Sequence, residues 1–275
     1  MVSPPEPELE VLRGEVDRID RAVVELLAER LQVVRSIAAL KNRDGAGGPA
    51  IRPGREAAIL RRLVTQAGTR LPTATLVRMW RELLAATTRA QAPLAIAAYV
   101  PSDRTELWDL ARDHFGSTAP IRRVHDSMDA IRLVAEGEAD LVVLPLAEDG
   151  AGWWTGLAEQ APRVLARIPF VAGPGTGGAL VLGAAGPDPS GDDLTLLLLE
   201  TASGLAPDRL PAMLGSVGLM GRALAQARAH DGRQLHLVEI DGLLAPEGAA
   251  LAKLCEPVLR CAWLGGYARP LAVDD

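Results

Sequence analysis

From Leu9 to Asn42 the chain runs without a proline and with one glycine, Gly14, while apolar residues return at the i, i+3, i+4, i+7 spacing of a helix face. That pattern predicts one helix about 50 Å long at about 1.5 Å per residue. The loop "RDGAGGPAIRPG" ends it. Two shorter helices follow, from about Arg55 to Ala67 and, after the break "TRLP", from about Ala74 to Gln91 before Pro93. Together they only equal the first in length, so a lone hairpin cannot cover its apolar stripe, which Leu12, Val16, Ile19 and Val23 carry toward the N-terminus. A second copy of the chain, in an isologous dimer, is the natural cover.

Charge interrupts that stripe. At about 100° of rotation per residue, Leu26, Val33, Val34 and Ile37 fall within about 60° of Arg30, and Lys41 returns to about 20° from it. The other two helices repeat the pattern: Glu56 is in register with Ile59, Leu60 and Leu63, with Arg55 beside it, and Thr87 and Gln91 extend the stripe Leu76, Trp80, Leu83, Leu84. An unpaired buried charge costs several kcal/mol, so these groups pair with one another or meet an anion. A single one would be a snorkelling lysine or a surface pair. Several converging on apolar faces point to a ligand. Arginines suit bidentate carboxylate recognition, Lys41 and Gln91 donate to an oxygen, and Glu56 accepts from a hydroxyl. The expected ligand is a small, hydroxylated polycarboxylate.

The 275 residues, 48% of them hydrophobic, suffice for two modest domains, and a net charge of -6 argues against a general nucleic-acid binder. An acidic, proline-rich N-terminus without an apolar core segment, and no run of some eighteen apolar residues, predict a cytoplasmic protein with no membrane span. Cys255 and Cys261 are expected as buried free thiols, and the four scattered histidines have no zinc-like spacing, so neither metal nor cofactor is expected.

The string "LRGEVDRIDRAVVELLAERLQVVRSIAALK", then "GRE" and a third helix ending "TTRAQ", resembles the all-helical class of chorismate mutases over about residues 9 to 91. That class includes the mutase domain of bifunctional mutase-dehydratases. The resemblance implies an intertwined helical dimer that rearranges chorismate to prephenate by an intramolecular Claisen reaction, with no covalent intermediate and no cofactor. It implies that Arg13, Arg30, Lys41, Arg55, Glu56, Thr87 and Gln91 enclose chorismate, with Lys41, Gln91, Arg30 and Glu56 as the catalytic set. The arginines would clamp the two carboxylates, Lys41 and Gln91 would bond the ether oxygen, Glu56 the ring hydroxyl, and Thr87 a carboxylate. Arg13 lies about 100° around the helix from Arg30, in keeping with the family arrangement in which that arginine crosses the dimer to complete the partner's site. Arg52 departs from the pattern, standing where enterobacterial-type members usually carry an acidic residue that meets substrate through its backbone. Isochorismate-pyruvate lyases share the arginines, lysine and glutamine, but Glu56 directly after the arginine is a mutase feature and favours chorismate.

Beyond Pro93, "LAIAAYV", "LVVLPL", "GALVLG" and "LTLLLLE" read as strands, "ELWDLARDHFG" and "SMDAIRLVAEGEAD" as helices, and "AAGPDPSGDD" as a linker. A helix near 208 to 229, the strand "QLHLVEID", a helix near 247 to 254 and a strand near 258 to 264 complete the chain. This remainder resembles a prephenate dehydratase followed by an ACT regulatory domain. The expected architecture is α + α/β: a three-helix mutase domain at 1–92, a degenerate dehydratase-like α/β region at 93–191, and an ACT-like α+β module at 192–275.

The dehydratase motifs are absent, however. The family's asparagine and serine after the proline of "LPLAEDGAG" are replaced, Leu196 and Leu197 stand for the arginine and phenylalanine of its Thr-Arg-Phe, and Gly183 to Asp192 is too short for its second lobe. No Glu-Ser-Arg-Pro of phenylalanine-binding ACT domains occurs around "GLMGRAL". The expectation is a dead dehydratase scaffold that fixes the dimer, senses an aromatic metabolite or docks a pathway enzyme. The alternatives are a surviving bifunctional mutase-dehydratase and a non-catalytic sensor of a chorismate-like anion. "GPGTGG", residues 173 to 178, fits G-x-G-x-x-G but precedes a strand-like segment where a dinucleotide site needs a helix. Trp153 and Trp154 read as packing aromatics.

Overall fold

The computed structural model describes residues 6–43, 51–101, 105–146, 152–157, 162–173, 177–202, 209–229, 232–255 and 258–272, excepting the side chains of 6, 7 and 41–43. The three predicted helices are α1 (Glu6–Arg43), α2 (Pro53–Ala67) and α3 (Thr73–Arg89). Two compact units divide the chain: the first holds α1 with Thr87–Ala92, the second the remaining described elements.

In the first unit α1 is unbroken over 38 residues, about 57 Å at the helical rise. Its apolar stripe is in water in the single chain: Leu12 is 55%, Val16 56%, Leu26 64% and Val33 53% exposed. Solvent-facing apolar area on that scale marks a surface built to be covered.

The second unit is built on a nine-stranded sheet. The element order is β1 (Ile96–Tyr99), α4 (Glu106–Phe115), β2 (Ile121–Val124), α5 (Ser127–Ala135), β3 (Leu141–Pro145), β4 (Arg163–Ile168), β5 (Val171–Ala172), β6 (Ala179–Gly183), β7 (Asp193–Thr201), α6 (Arg209–Ser216), β8 (Gly221–Arg228), β9 (Gln234–Asp241), α7 (Ala249–Cys255), β10 (Arg260–Ala268) and β11 (Leu271–Ala272). The large sheet runs β2-β1-β3-β6-β4-β10-β7-β9-β8, with β11 and β5 as a separate parallel pair. β1 is parallel to both β2 and β3. Parallel neighbours need crossover helices, and α4 and α5 supply them on opposite faces. Helix α5 starts where Asp126 accepts from the Met128 and Asp129 N–H groups, both at 2.8 Å.

The half of the sheet after residue 192 has the βαββαβ order, with α6 and α7 packed on one face around Leu197, Leu199, Val238 and Ile240. The sheet continues across residue 191, because β10 lies parallel to β4 with Gly265 opposite Val164. Gly265 has φ +123°, and a Cβ there would lie 2.2 Å from the Val164 carbonyl oxygen, so only glycine permits this approach. A polar staple crosses the same joint. The buried Glu239 of β9 accepts from Tyr267 Oη of β10 and from Arg222 Nε of β8 at 2.9 Å, and Arg167 of β4 stands 3.6 Å away. Burial beside Glu239 pushes the Tyr267 phenol above its usual range.

Several expectations need correction. The predicted helix 208–229 is only α6: the Val217 and Leu219 N–H groups fold back onto the Leu214 carbonyl, and "GRALAQAR" is the edge strand β8. Its helix-forming composition is overridden by pairing with β9. The four-residue strand β2 was not expected; it is a short edge strand with two exposed arginines. Cys255 and Cys261 are joined as a disulfide, not free, because the end of α7 and the start of β10 bring their Cα atoms to 5.3 Å. "GPGTGG" leads from β5 toward strand β6, with Pro174–Thr176 outside the described residues. Trp154 is 1% exposed in the core and Trp153 Nε1 donates to the Pro145 carbonyl at 3.1 Å, which is the packing role expected.

The presumed linker is an anchor. Arg52 precedes α2 and gives it no side-chain cap. Asp188, from "AAGPDPSGDD", takes that place: the Gly54 N–H donates to its Oδ1 at 2.8 Å and the Arg55 N–H to its Oδ2 at 3.3 Å. A Cβ on Gly54 would lie 2.1 Å from the Asp188 carbonyl oxygen, so α2 comes this close only with glycine there. Arg61, two turns on, donates to Ser190 Oγ and to the Asp192 and Arg269 carbonyls at 2.7–2.8 Å. A carboxylate on a helix N-terminus stabilises both through hydrogen bonds and through the helix dipole, by about 1–2 kcal/mol. Asp188→Ala is therefore expected to lower unfolding stability by about that much in a denaturant titration; an unchanged midpoint would remove Asp188 as the cap of α2.

Candidate active site

The eight candidate positions fall into two groups. Arg52, Arg55 and Glu56 belong to the second unit, and Arg13, Arg30, Lys41, Thr87 and Gln91 to the first.

In the second unit, Arg52 and Arg55 flank the start of α2. The Arg52 Nε lies 3.4 Å from Asp188 Oδ2, and the Arg55 side chain is exposed while its backbone N–H goes to the same carboxylate. Glu56, next in the chain, turns inward. Its carboxylate Oε2 accepts from Arg81 Nη1 at 2.7 Å, and the two side chains are only 16% and 7% exposed. Desolvation dominates both groups. It pushes the Glu56 carboxyl above the usual carboxylate range and the Arg81 guanidinium below its own, and their mutual attraction offsets this only in part. Arg81 also lies over the Phe170 ring, 5.7 Å from its centroid, with Arg61 at 5.6 Å from the same ring. An acceptor held this rigidly, with one oxygen already on a guanidinium, is suited to orienting a hydroxyl donor.

In the first unit, Arg13 is exposed on α1 and pairs with Glu10 one turn earlier. Such a solvent-exposed i,i+3 pair contributes a few tenths of a kcal/mol at most and gives way to a better anion. Arg30 is half-buried on the same helix. Lys41 falls within the last turn of α1, about 16 Å along the axis from Arg30, and its side chain lies outside the described residues. Thr87 is buried in the last turn of α3. Gln91 lies just past that helix, exposed, with Nε2 donating to the Thr87 carbonyl at 3.1 Å and its backbone N–H to the Thr88 carbonyl at 3.0 Å. A side-chain amide bonded to an end-of-helix carbonyl is a local tether that another acceptor can replace.

Sequence reasoning missed Arg81 and Asp188. Arg81 carries the signal that marked Arg30: it lies four residues after Val77 and three before Leu84, both buried. Asp188 gives no such signal, since it caps a helix 134 residues earlier in the chain.

Residues 12–92 match the family model described as chorismate mutase type II. Among curated proteins, the chain is 31% identical over 140 residues to a bifunctional chorismate mutase/prephenate dehydratase of Neisseria gonorrhoeae, covering 51% of this chain and 37% of that protein. A protein of the same description from Pseudomonas aeruginosa is 26% identical over 148 residues, covering 53% and 40%. The matched stretch is thus about two-fifths of each relative's length. Being longer than residues 1–92, it takes in part of the sheet region. Among solved structures, a prephenate dehydratase from Streptococcus mutans covers 66% of this chain and 100% of its own at 15% identity and a TM-score of 0.47. A prephenate dehydratase from Arthrobacter aurescens in complex with L-Phe covers 65% and 92% at 14% identity and a TM-score of 0.48. No helix among the described residues is long and apolar enough to cross a membrane. All eight candidate positions lie within residues 12–92, the segment that matches the chorismate mutase type II model.

Proposed function

We propose that the chain is a chorismate mutase, converting chorismate to prephenate in the route to phenylalanine and tyrosine, as a cytoplasmic homodimer. One observation carries this reading: residues 12–92 match the mutase family, and within them the side chains suited to the reaction stand in order. The rearrangement breaks the ether C–O bond and forms a C–C bond within one molecule, moving no proton and needing no cofactor. The protein's contribution is therefore restraint and charge placed for the transition state.

Arg30, Arg55 and the partner's arginine equivalent to Arg13 clamp the two carboxylates, folding the enolpyruvyl arm over the ring. Thr87 supports a carboxylate, and Arg52 meets the substrate through its backbone. Lys41 and Gln91 donate to the ether oxygen as negative charge builds on it, a preorganised electrostatic stabilisation. Glu56 receives the ring hydroxyl on Oε1 while Arg81 keeps Oε2. The exposed stripe of α1 supports the dimer, because a second α1 offers the matching apolar face.

A second reading has an observation of its own. The relatives are described as bifunctional, and the similarity to them extends past residue 92. Against it stand Leu196 and Leu197, fully buried in β7 where the dehydratase motif would place arginine and phenylalanine. We take the C-terminal half as lacking dehydratase activity and as the place where an aromatic metabolite or a pathway enzyme would act.

Purified full chain incubated with chorismate at neutral pH, without metal or cofactor, should yield prephenate by mass spectrometry, and Arg30→Ala should lower the rate on the order of 10²-fold. Phenylpyruvate without added acid would establish the bifunctional reading instead. No turnover, with chorismate still bound, would replace both with a sensor. Gln91→Glu should be slow at neutral pH, where the new carboxylate is ionised and repels the developing charge. It should recover as pH falls toward the ordinary glutamate range near about 4.3, where the protonated form donates. A flat pH–rate profile for that variant would remove Gln91 from the ether oxygen.

A further inference from the structure

Arg81 is where α2, α3 and the sheet region meet. From α3 its Nη1 donates to Oε2 of Glu56 on α2 at 2.7 Å, and its guanidinium carbon lies 5.7 Å from the centroid of the Phe170 ring. Phe170 is buried between β4 and β5, where its carbonyl accepts from the Leu271 N–H at 2.7 Å and Val171 pairs with Leu271. It shares one apolar cluster with Ala57 and Leu60 of α2 and Val77 and Leu84 of α3. Ile51–Ala86, which holds all of α2 and most of α3, belongs to the same compact unit as the sheet.

A buried ion pair is a poor way merely to hold two helices together. Desolvation offsets most of its attraction, and apolar side chains of the same volume would pack α2 on α3 at least as well. What the pair alone supplies is a charge on a buried carboxyl. Burial foremost, opposed by the Arg81 charge and hydrogen bond and reinforced by the Asp188 carboxylate, pushes the Glu56 carboxyl upward. The neighbouring cations are engaged elsewhere: Arg52 goes to Asp188, Arg55 faces solvent, and Arg167 of β4 stands 3.6 Å from Glu239. His114 of α4 lines the same narrow gap as Arg81 and Arg167, and burial, then the Arg81 charge, hold its imidazole well below the usual range, so it is neutral at pH 7. That leaves Arg81 as the cation on which the Glu56 charge depends.

Resting on the mutase reading above, we propose that the sheet region takes part in the reaction: Phe170 seats the Arg81 guanidinium, and Arg81, as a positioning residue, holds the Glu56 carboxylate aimed at the substrate's hydroxyl. An ionised acceptor serves that hydroxyl best, because a charge-assisted hydrogen bond is about twice as strong as a neutral one. A protonated Glu56 would accept more weakly and would turn a donor of its own toward the substrate. The sign of the pH effect follows. Without Arg81 the carboxyl takes up its proton at higher pH, so activity is present above that value and lost as pH falls through it.

The test follows kcat/KM for chorismate against pH in the full chain and its variants, each checked for folding by circular dichroism. Arg81→Met should lower kcat/KM at pH 7 at least about tenfold and move the acid limb of the profile up by about one pH unit or more. Adding Glu56→Gln to Arg81→Met should abolish the displaced limb, and Arg81→Lys should return it most of the way to its wild-type place. Phe170→Leu keeps the apolar packing but removes the aromatic face. It should cost about two- to fivefold at pH 7 and move the limb in the same direction, and it carries the same readout if Arg81→Met does not fold. Variants slowed by one factor at every pH would make the pair purely structural, and a Phe170→Leu profile matching the wild type would take the sheet region out of the reaction. Either result overturns the inference and leaves the mutase standing, whereas a wild type that leaves chorismate unchanged overturns the mutase reading and this inference with it.

Discussion

Taking the Arg81 guanidinium out of water would cost several kcal/mol if its charge went unpaired, and the arrangement of α2, α3 and the sheet follows from how it is paired. Glu56 supplies the carboxylate, and Phe170 the aromatic face. For Glu56 to reach Arg81, α2 must be held at a fixed height on the sheet, which the Asp188 cap and the grip of Arg61 on Ser190, Asp192 and Arg269 achieve. The apolar contacts of Ala57, Leu60, Val77, Leu84 and Phe170 close around this polar centre. The pair thus serves two ends at once: it fixes the hairpin on the sheet, and it presents a carboxylate already oriented by a neighbour.

The first unit has the opposite problem. Where the second unit buries charge and must pair it, α1 exposes an apolar stripe that the chain itself leaves open. Under the proposed function both conditions would be requirements of a shared site. In the proposed dimer a second α1 would cover that stripe, and Arg13, turned about 100° away from Arg30, would serve the neighbouring molecule.

The helical third was readable because periodicity is local: each turn of α1, α2 and α3 carries its own evidence, and their bounds fall within one to three residues of the expectation. The strands β1, β3, β6, β7 and β9 were readable for the same reason, as apolar runs bounded by turns. Strand β8 was not, because "GRALAQAR" has the composition of a helix and its state is decided by its neighbour β9. The disulfide escaped because proximity of α7 and β10 is a tertiary fact. Within the site, the residue types were legible and their partners were not. Glu56 was visible on an apolar face, but Arg81 was overlooked although it showed the same spacing, and Asp188 acts across 134 residues where no local rule reaches.

The central claim is a mutase site completed across two chains, and mixing two crippled variants tests it most directly. Arg13→Ala and Arg30→Ala homodimers should each be nearly inactive on chorismate. After subunit exchange between equal amounts, half of the dimers are mixed, and each mixed dimer holds one intact site, so prephenate formation should return to about a quarter of the wild-type rate. A mixture no more active than its two components, in a protein whose wild type turns chorismate over, would contradict the shared site.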